Sequence, residues 1–241
     1  MQSKQGTFLI LDTETTKEGY NMPNQSVFDI GWVVSNRQGE TLCQRSYMVE
    51  EFRLQALEKK KAFLIDSEVV DKATYITKLL NREMVVASWK AITTQLVKDC
   101  RKYGVEYIGA YNLAFDMRVI SKTHEFLLGK EFLLFEDMFL IDLWHTCAYT
   151  ILNTEKYKEY ARTHNLMTEK GNFQTSAEST IKFIKNDASY IEEHTALQDS
   201  IDETMILHHL LNNVEYIPLH AYTINSQAWR IVNQPKESEE K

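Results

Sequence analysis

A short apolar run that ends in two acids constrains this chain more than any other feature. Thr7–Asp12 reads TFLILD, a pattern expected of a buried strand. Strand side chains alternate between faces. In Asp12-Thr13-Glu14-Thr15-Thr16, Asp12 and Glu14 therefore project to the same side, where the apolar run stops. Two carboxylates held that close repel, and one is pushed toward its protonated form unless a cation lies between them. A hard divalent ion with oxygen ligands is the natural partner. Read alone, the segment serves equally well as a solvated strand end followed by a Thr-rich turn.

The rest of the chain places this strand in an α/β pattern. Val27–Ser35 is rich in β-branched and aromatic residues, Asn36-Arg37-Gln38-Gly39 is turn-like, and Glu40–Val49 reads as the returning strand. From Glu51 to about Cys100 the spacing predicts helix, with Gly104 as a stop. Tyr107–Tyr111 and Phe139–Leu143 read as short strands. Phe115–Leu128, and the residues after Leu143 through about Arg162, read as helix. Thr163–Ser176 is polar and loop-like, and helices are expected over Ala177–Lys185 and Ala196–Asn212. Three strands followed by alternating helix and strand fit a mixed sheet covered by helices.

Two further segments place acids at helix starts. Tyr111-Asn112-Leu113-Ala114-Phe115-Asp116 follows a strand and opens a helix, the usual location of ligand residues in open α/β sheets. By itself Asp116 is more readily explained by the helix dipole. In His194-Thr195-Ala196-Leu197-Gln198-Asp199, His194 and Asp199 lie five residues apart. On one continuous helix they would point roughly 140° apart. Thr195 and Gln198 match a capping box, so the helix is expected to begin after His194 and leave it on the incoming loop, free to turn toward Asp199. A lone His at a helix start is otherwise an ordinary structural or exposed residue.

Composition narrows the alternatives. The 241 residues are 44% hydrophobic and 25% charged, ordinary for a globular chain. No run of about 18 apolar residues suggests a membrane span, and the first residues lack a signal-type apolar run. A soluble cytoplasmic protein is expected. Cys43, Cys100 and Cys147 lie far apart with no CxxC, so buried free thiols are expected rather than disulfides or zinc. The net charge of -7 argues against a protein that coats nucleic acid electrostatically. It does not oppose an enzyme that grips a strand locally and offsets its carboxylates with metal.

Together the three segments resemble the DEDD superfamily of 3′–5′ exonucleases, in the branch whose last motif carries His (DEDDh). That branch includes the proofreading subunits of bacterial replicative polymerases and ribonuclease T. Asp12-Thr13-Glu14-Thr15 matches Asp-x-Glu-Thr, Asn112 through Phe115-Asp116 matches the second motif, and His194-Thr195-Ala196-Leu197-Gln198-Asp199 matches His-x-Ala-x-x-Asp. Order and internal spacing agree from about Thr7 to Leu211. Lys17 departs from the glycine of many relatives. Thr175-Ser176-Ala177-Glu178 and Ile191-Glu192-Glu193 further resemble stretches of phage-type members.

The resemblance implies an RNase H-like fold with a mixed five-stranded sheet flanked by helices. It implies one exonuclease domain over 1–234, with a helical insert around 51–88 and a charged tail over 235–241. Two Mg²⁺ or Mn²⁺ ions are expected on Asp12, Glu14, Asp116 and Asp199, in a two-metal hydrolysis. Asp12 would bridge both ions, and His194 would be the general base. Thr15, Thr16, Asn112 and Phe115 are candidates for substrate contacts. Lys59-Lys60-Lys61 is expected as solvated helix surface, and His208-His209 as packing residues. The expected substrate is a nucleic-acid 3′ end, released as nucleoside 5′-monophosphates. Single-stranded DNA is favoured, in a bacterial or phage-infected cytoplasm, with a polymerase or other replication protein as partner. RNA trimming, as by an oligoribonuclease, and a catalytically dead nucleic-acid-binding module are the alternatives.

Overall fold

A computed structural model describes residues 6–16, 25–52, 72–214 and 227–233. Lys17, Lys59-Lys60-Lys61, residues 53–71 of the expected insert and the charged tail lie outside the described residues. Strands β1 (Thr7–Thr15), β2 (Val27–Asn36) and β3 (Thr41–Val49) form an antiparallel meander. Helix α1 (Lys72–Leu80), strand β4 (Val85–Ala87) and helix α2 (Trp89–Tyr103) follow. Strand β5 (Tyr107–Ala110), helix α3 (Leu113–Leu128) and strand β6 (Phe139–Asp142) complete the sheet. The order is β4-β3-β2-β1-β5-β6. Pairs β3/β4, β1/β5 and β5/β6 are parallel.

The sheet therefore has six strands where five were expected. The extra strand is β4, inside the stretch that helical spacing had assigned as continuous from Glu51 to Cys100. Three residues are too few to show a period. Val85–Ala87 pairs with Tyr47–Val49, a tertiary contact that overrides local preference. The expected stop is correct. Gly104 closes α2 with φ 60°, a left-handed conformation that glycine adopts without a Cβ penalty.

Beyond β6 the described elements are helical: α4 (Leu143–Cys147), a wider π-type turn (Ala148–Leu152), α5 (Glu155–Thr163), α6 (Ala177–Lys185), α7 (Ala196–Asn213) and α8 (Trp229–Val232). The period of 2 in β1 divides the core. Leu9 and Leu11 join the cluster with Trp89, Ile92, Val119 and Ile120 of α2 and α3. Phe8 and Ile10 join the cluster with Leu143 of α4 and Ile206, Leu207 and Leu210 of α7. Asp12 and Glu14 continue the second face. Cys43, Cys100 and Cys147 are buried free thiols, as expected.

Gly31 lets α7 reach that face. It sits opposite Asp12 in the β1/β2 register. A Cβ at this position would lie 2.3 Å from Leu197 N, 2.4 Å from Leu197 Cα and 2.5 Å from Ala196 C. The Ser200 hydroxyl, on the next turn of α7, donates to Gly31 O at 3.1 Å. Helix backbone thus rests directly on strand backbone. Gly31→Ala should lose about 3 kcal/mol or more of stability in urea unfolding, because the clash is with backbone atoms that cannot rotate away. It should also weaken Mg²⁺ binding measured calorimetrically, since α7 carries Asp199.

Candidate active site

The site forms where β1 ends against the start of α7. Single ligand atoms of Asp12, Glu14 and Asp199 lie within 4.8 Å of one another. Asp12 and Glu14 share a strand face, as the alternation required. Asp199 comes from the first turn of α7. Asp116 approaches from the opposite side of β1, in the first turn of α3. The Thr13 hydroxyl, which alternation directs to that side, donates to Asp116 Oδ1 at 2.7 Å. Asp116 is only 2% exposed, so it is not the solvated dipole-facing acid that a local reading allows.

The start of α7 differs from the sequence expectation in one respect. The helix begins after His194, with Thr195 at the N-cap position, but the Thr195 side chain makes no capping bond. Its hydroxyl donates to Glu193 Oε1 at 3.0 Å instead. The capping acceptor comes from another strand: Ala196 N donates to Asp29 Oδ2 at 3.1 Å. Tyr75 Oη donates to the same oxygen at 2.9 Å. A fully buried carboxylate reaching in from β2 outcompetes a local hydroxyl as an acceptor for the positive helix end. His194 precedes the helix with φ 57°. Its Nδ1 lies 3.9 Å from Glu192 Oε2, and one ligand atom each of His194, Glu178 and Glu192 lie within 4.8 Å of one another.

The electrostatics are dominated by burial and mutual repulsion. Burial, then the charges of Asp116, Glu203, Asp199 and Glu14, hold Asp12 well above the usual carboxylate range. Glu14 is pushed up to about 8, by burial and then by Asp29, its cross-strand partner. Asp199 rises to about 9 through burial, Glu192 and Glu14. Burial raises Asp116 to about 7 against the Thr13 hydrogen bond. Oδ1 of Asp199 is buried with no hydrogen-bond partner. Converging oxygen donors, one of them unpartnered, in a field that disfavours their own charge fit a hard divalent cation.

Two acids of this cluster escape the motif reading. Glu203, 3% exposed, lies one turn beyond Asp199 on α7. Its Oε2 has no partner, and burial and then Asp116 raise it well above its ordinary value. The signal available was the i, i+4 spacing from Asp199. Asp29 had no such signal, because only the β1/β2 register sets it against Glu14.

The substrate candidates fare unevenly. Thr15 ends β1 beside an irregularity in its pairing with β2. The Thr16 hydroxyl accepts from Ser26 N at 3.2 Å and helps to close the strand ends. Asn112 holds φ 73° with its Oδ1 buried and unpartnered. Phe115 packs against the core, with the Arg118 guanidinium 5.2 Å from its ring centre. His208 Nε2 bonds Ser35 Oγ at 3.1 Å, which is a packing role.

No protein-family model and no curated protein sequence matches the chain. Solved structures do. The nuclease domain of 3′hExo, a DEDDh family member bound to rAMP, superposes with a TM-score of 0.52 at 15% identity. The match covers 89% of this chain and 96% of that one. A 3′-exonuclease from a structure of 3′-end specific recognition of the histone mRNA stem-loop gives a TM-score of 0.55 at 12% identity. It covers 88% of this chain and 65% of the other, so this chain spans about two thirds of that protein. The chain has the RNase H-like fold of the DEDDh 3′ exonucleases. The three segments matched to the DEDDh motifs in the sequence bring their acids to one end of β1 in that fold. No described helix is long and apolar enough to cross a membrane.

The metal-free protein should show the repulsion directly. An acid whose pKa is raised by folding binds more protons folded than unfolded. Its contribution to stability is therefore lost as pH rises above the unfolded value, near 4, until the folded group also ionises, at about 8 for Glu14 and about 9 for Asp199. In EDTA, thermal stability should fall from mildly acidic to mildly alkaline pH. Saturating Mg²⁺ should raise the midpoint by several degrees, most at the alkaline end, since about 1 kcal/mol moves Tm by roughly 2–4 °C at this size. Equal midpoints with EDTA and with Mg²⁺ at alkaline pH would contradict the site.

Proposed function

We propose that this chain is a metal-dependent 3′–5′ exonuclease that hydrolyses phosphodiester bonds at nucleic-acid 3′ ends and releases nucleoside 5′-monophosphates. The observation that carries the reading is the convergence of Asp12, Glu14 and Asp199 within 4.8 Å, with Asp116 fixed beside them through Thr13. Asp12, Glu14, Asp116 and Asp199 would hold two Mg²⁺ or Mn²⁺ ions, which suit an all-oxygen donor set. Ions bound there would supply the positive charge that an in-line displacement at phosphorus requires.

The protein's own part is to place and take a proton. Asp116 is locked by the Thr13 hydroxyl, and Asp199 by the seat of α7 on Gly31 and Asp29. His194 takes the proton of the attacking water. Burial lowers its pKa below the ordinary 6.5, so its neutral, proton-accepting form prevails at neutral pH. With Nδ1 facing Glu192 across 3.9 Å, the tautomer that carries its proton on Nδ1 leaves the Nε2 lone pair as the base.

Single-stranded DNA is the substrate we favour, in keeping with the resemblance to proofreading subunits. RNA is the second reading, favoured by the rAMP and the histone mRNA stem-loop bound by the two structural neighbours. End-labelled DNA and RNA length series with Mg²⁺ should yield mononucleotides and rank the two polymers. No release from either polymer would refute the nuclease. Asp12→Ala should abolish release and weaken Mg²⁺ binding. His194→Ala should retain Mg²⁺ binding while slowing turnover by roughly 10²–10⁴-fold. The wild-type rate should rise with pH and reach half its plateau below pH 6.5. An unchanged rate in His194→Ala would remove the base assignment.

A further inference from the structure

Glu178, Glu192 and His194 form a second convergent donor set beside the acidic cleft, and the motif assignments give neither glutamate a role. One ligand atom from each lies within 4.8 Å of the other two. Glu178 comes from the first turn of α6. Glu192 and His194 come from the loop that enters α7. The side chain of Glu192 is 12% exposed. Burial, then the charges of Glu178 and Asp202, push it up to about 7. Lys182 Nζ pairs with Oε1 of Glu178 at 2.5 Å, which steadies that side chain and leaves Oε2 free of this ion pair.

The separation of His194 Nδ1 and Glu192 Oε2, 3.9 Å, is too long for a hydrogen bond. Two ligands on one tetrahedral ion with bonds of ~2.0–2.2 Å stand about 3.4 Å apart, so a small closing movement would seat an ion between them. One imidazole and two carboxylates differ in kind from the all-oxygen set at Asp12. They suit Zn²⁺ or Co²⁺ rather than Mg²⁺.

We propose that Glu178, Glu192 and Nδ1 of His194 form an inhibitory site for a zinc-class divalent ion, distinct from the Mg²⁺ cleft. Its inhibitory consequence rests on the nuclease reading above. The reason for inhibition is tautomeric. A neutral imidazole that ligates through Nδ1 carries its proton on Nε2. Nε2 then donates a hydrogen bond and has no lone pair with which to accept a proton from water. Occupation of this site therefore converts the general base into a donor without displacing anything from Asp12, Glu14 or Asp199.

Zn²⁺ titrations of the full chain in excess Mg²⁺, followed by calorimetry, test binding separately from catalysis. Wild type should bind a single equivalent, with affinity falling by more than about tenfold in Glu178→Gln and in Glu192→Gln. Co²⁺ should give a visible absorption band that both variants lose. In Mg²⁺-supported hydrolysis, Zn²⁺ should inhibit wild type. Glu178→Gln should keep the uninhibited rate while needing about tenfold more Zn²⁺ for the same inhibition. Absence of the Zn²⁺ equivalent in wild type, or equal affinity in wild type and both variants, would overturn the site. Binding without any nuclease activity would overturn the inhibitory role and the nuclease reading, and leave the site.

Discussion

The seat of α7 on β2 is the contact on which the rest of the site depends. Gly31 has no side chain, so the backbone of Ala196 and Leu197 lies where a Cβ would otherwise be. The same register sets Gly31 opposite Asp12. A single missing methyl group thus brings the first turn of α7, with Asp199, onto the acidic end of β1. Ser200 and Asp29 fasten this contact with hydrogen bonds from both sides. Burying two polar groups that satisfy each other costs little, whereas a larger residue at Gly31 would move every acid on α7 at once.

Packing that tight concentrates negative charge. Asp12, Glu14, Asp116, Asp199 and Glu203 are all raised above their ordinary values, by burial first and then by neighbouring acids that include Asp29, Asp142 and Glu192. Hydrophobic layers on both faces of β1 hold the acids together against that repulsion. Core packing therefore holds together acids whose own charges oppose it, and perturbed acids of this kind are common at functional sites. Asp29 extends it: opposite Glu14 it repels, and beneath α7 it caps.

Much of this was legible in the chain. The apolar run before Asp12 announced β1, and period 2 alone placed Asp12 and Glu14 on one face. Gly104 marked the end of α2, and the polar segment before Ala177 marked a loop. Asp116 could be set at a helix start but not judged buried, because burial depends on what packs over α3. β4 was invisible because three residues show no period. The capping box at Thr195 placed the helix start correctly for a reason that the fold replaces, since Asp29 from β2 supplies the acceptor. Asp29, Glu192 and Glu203 carried little or no motif signal.

By itself, then, the sequence determined the local geometry: which residues lie on one strand face, where helices begin, and that His194 stands outside the helix of Asp199. Periodicity and turn chemistry act over a few residues, and those can be read directly. Tertiary structure alone decided that Glu14 faces Asp29 across a register and that α7 rests on Gly31. It also decided that His194 lies among Glu178 and Glu192. These are contacts between segments far apart in the chain, fixed by strand pairing and close packing rather than by any local preference.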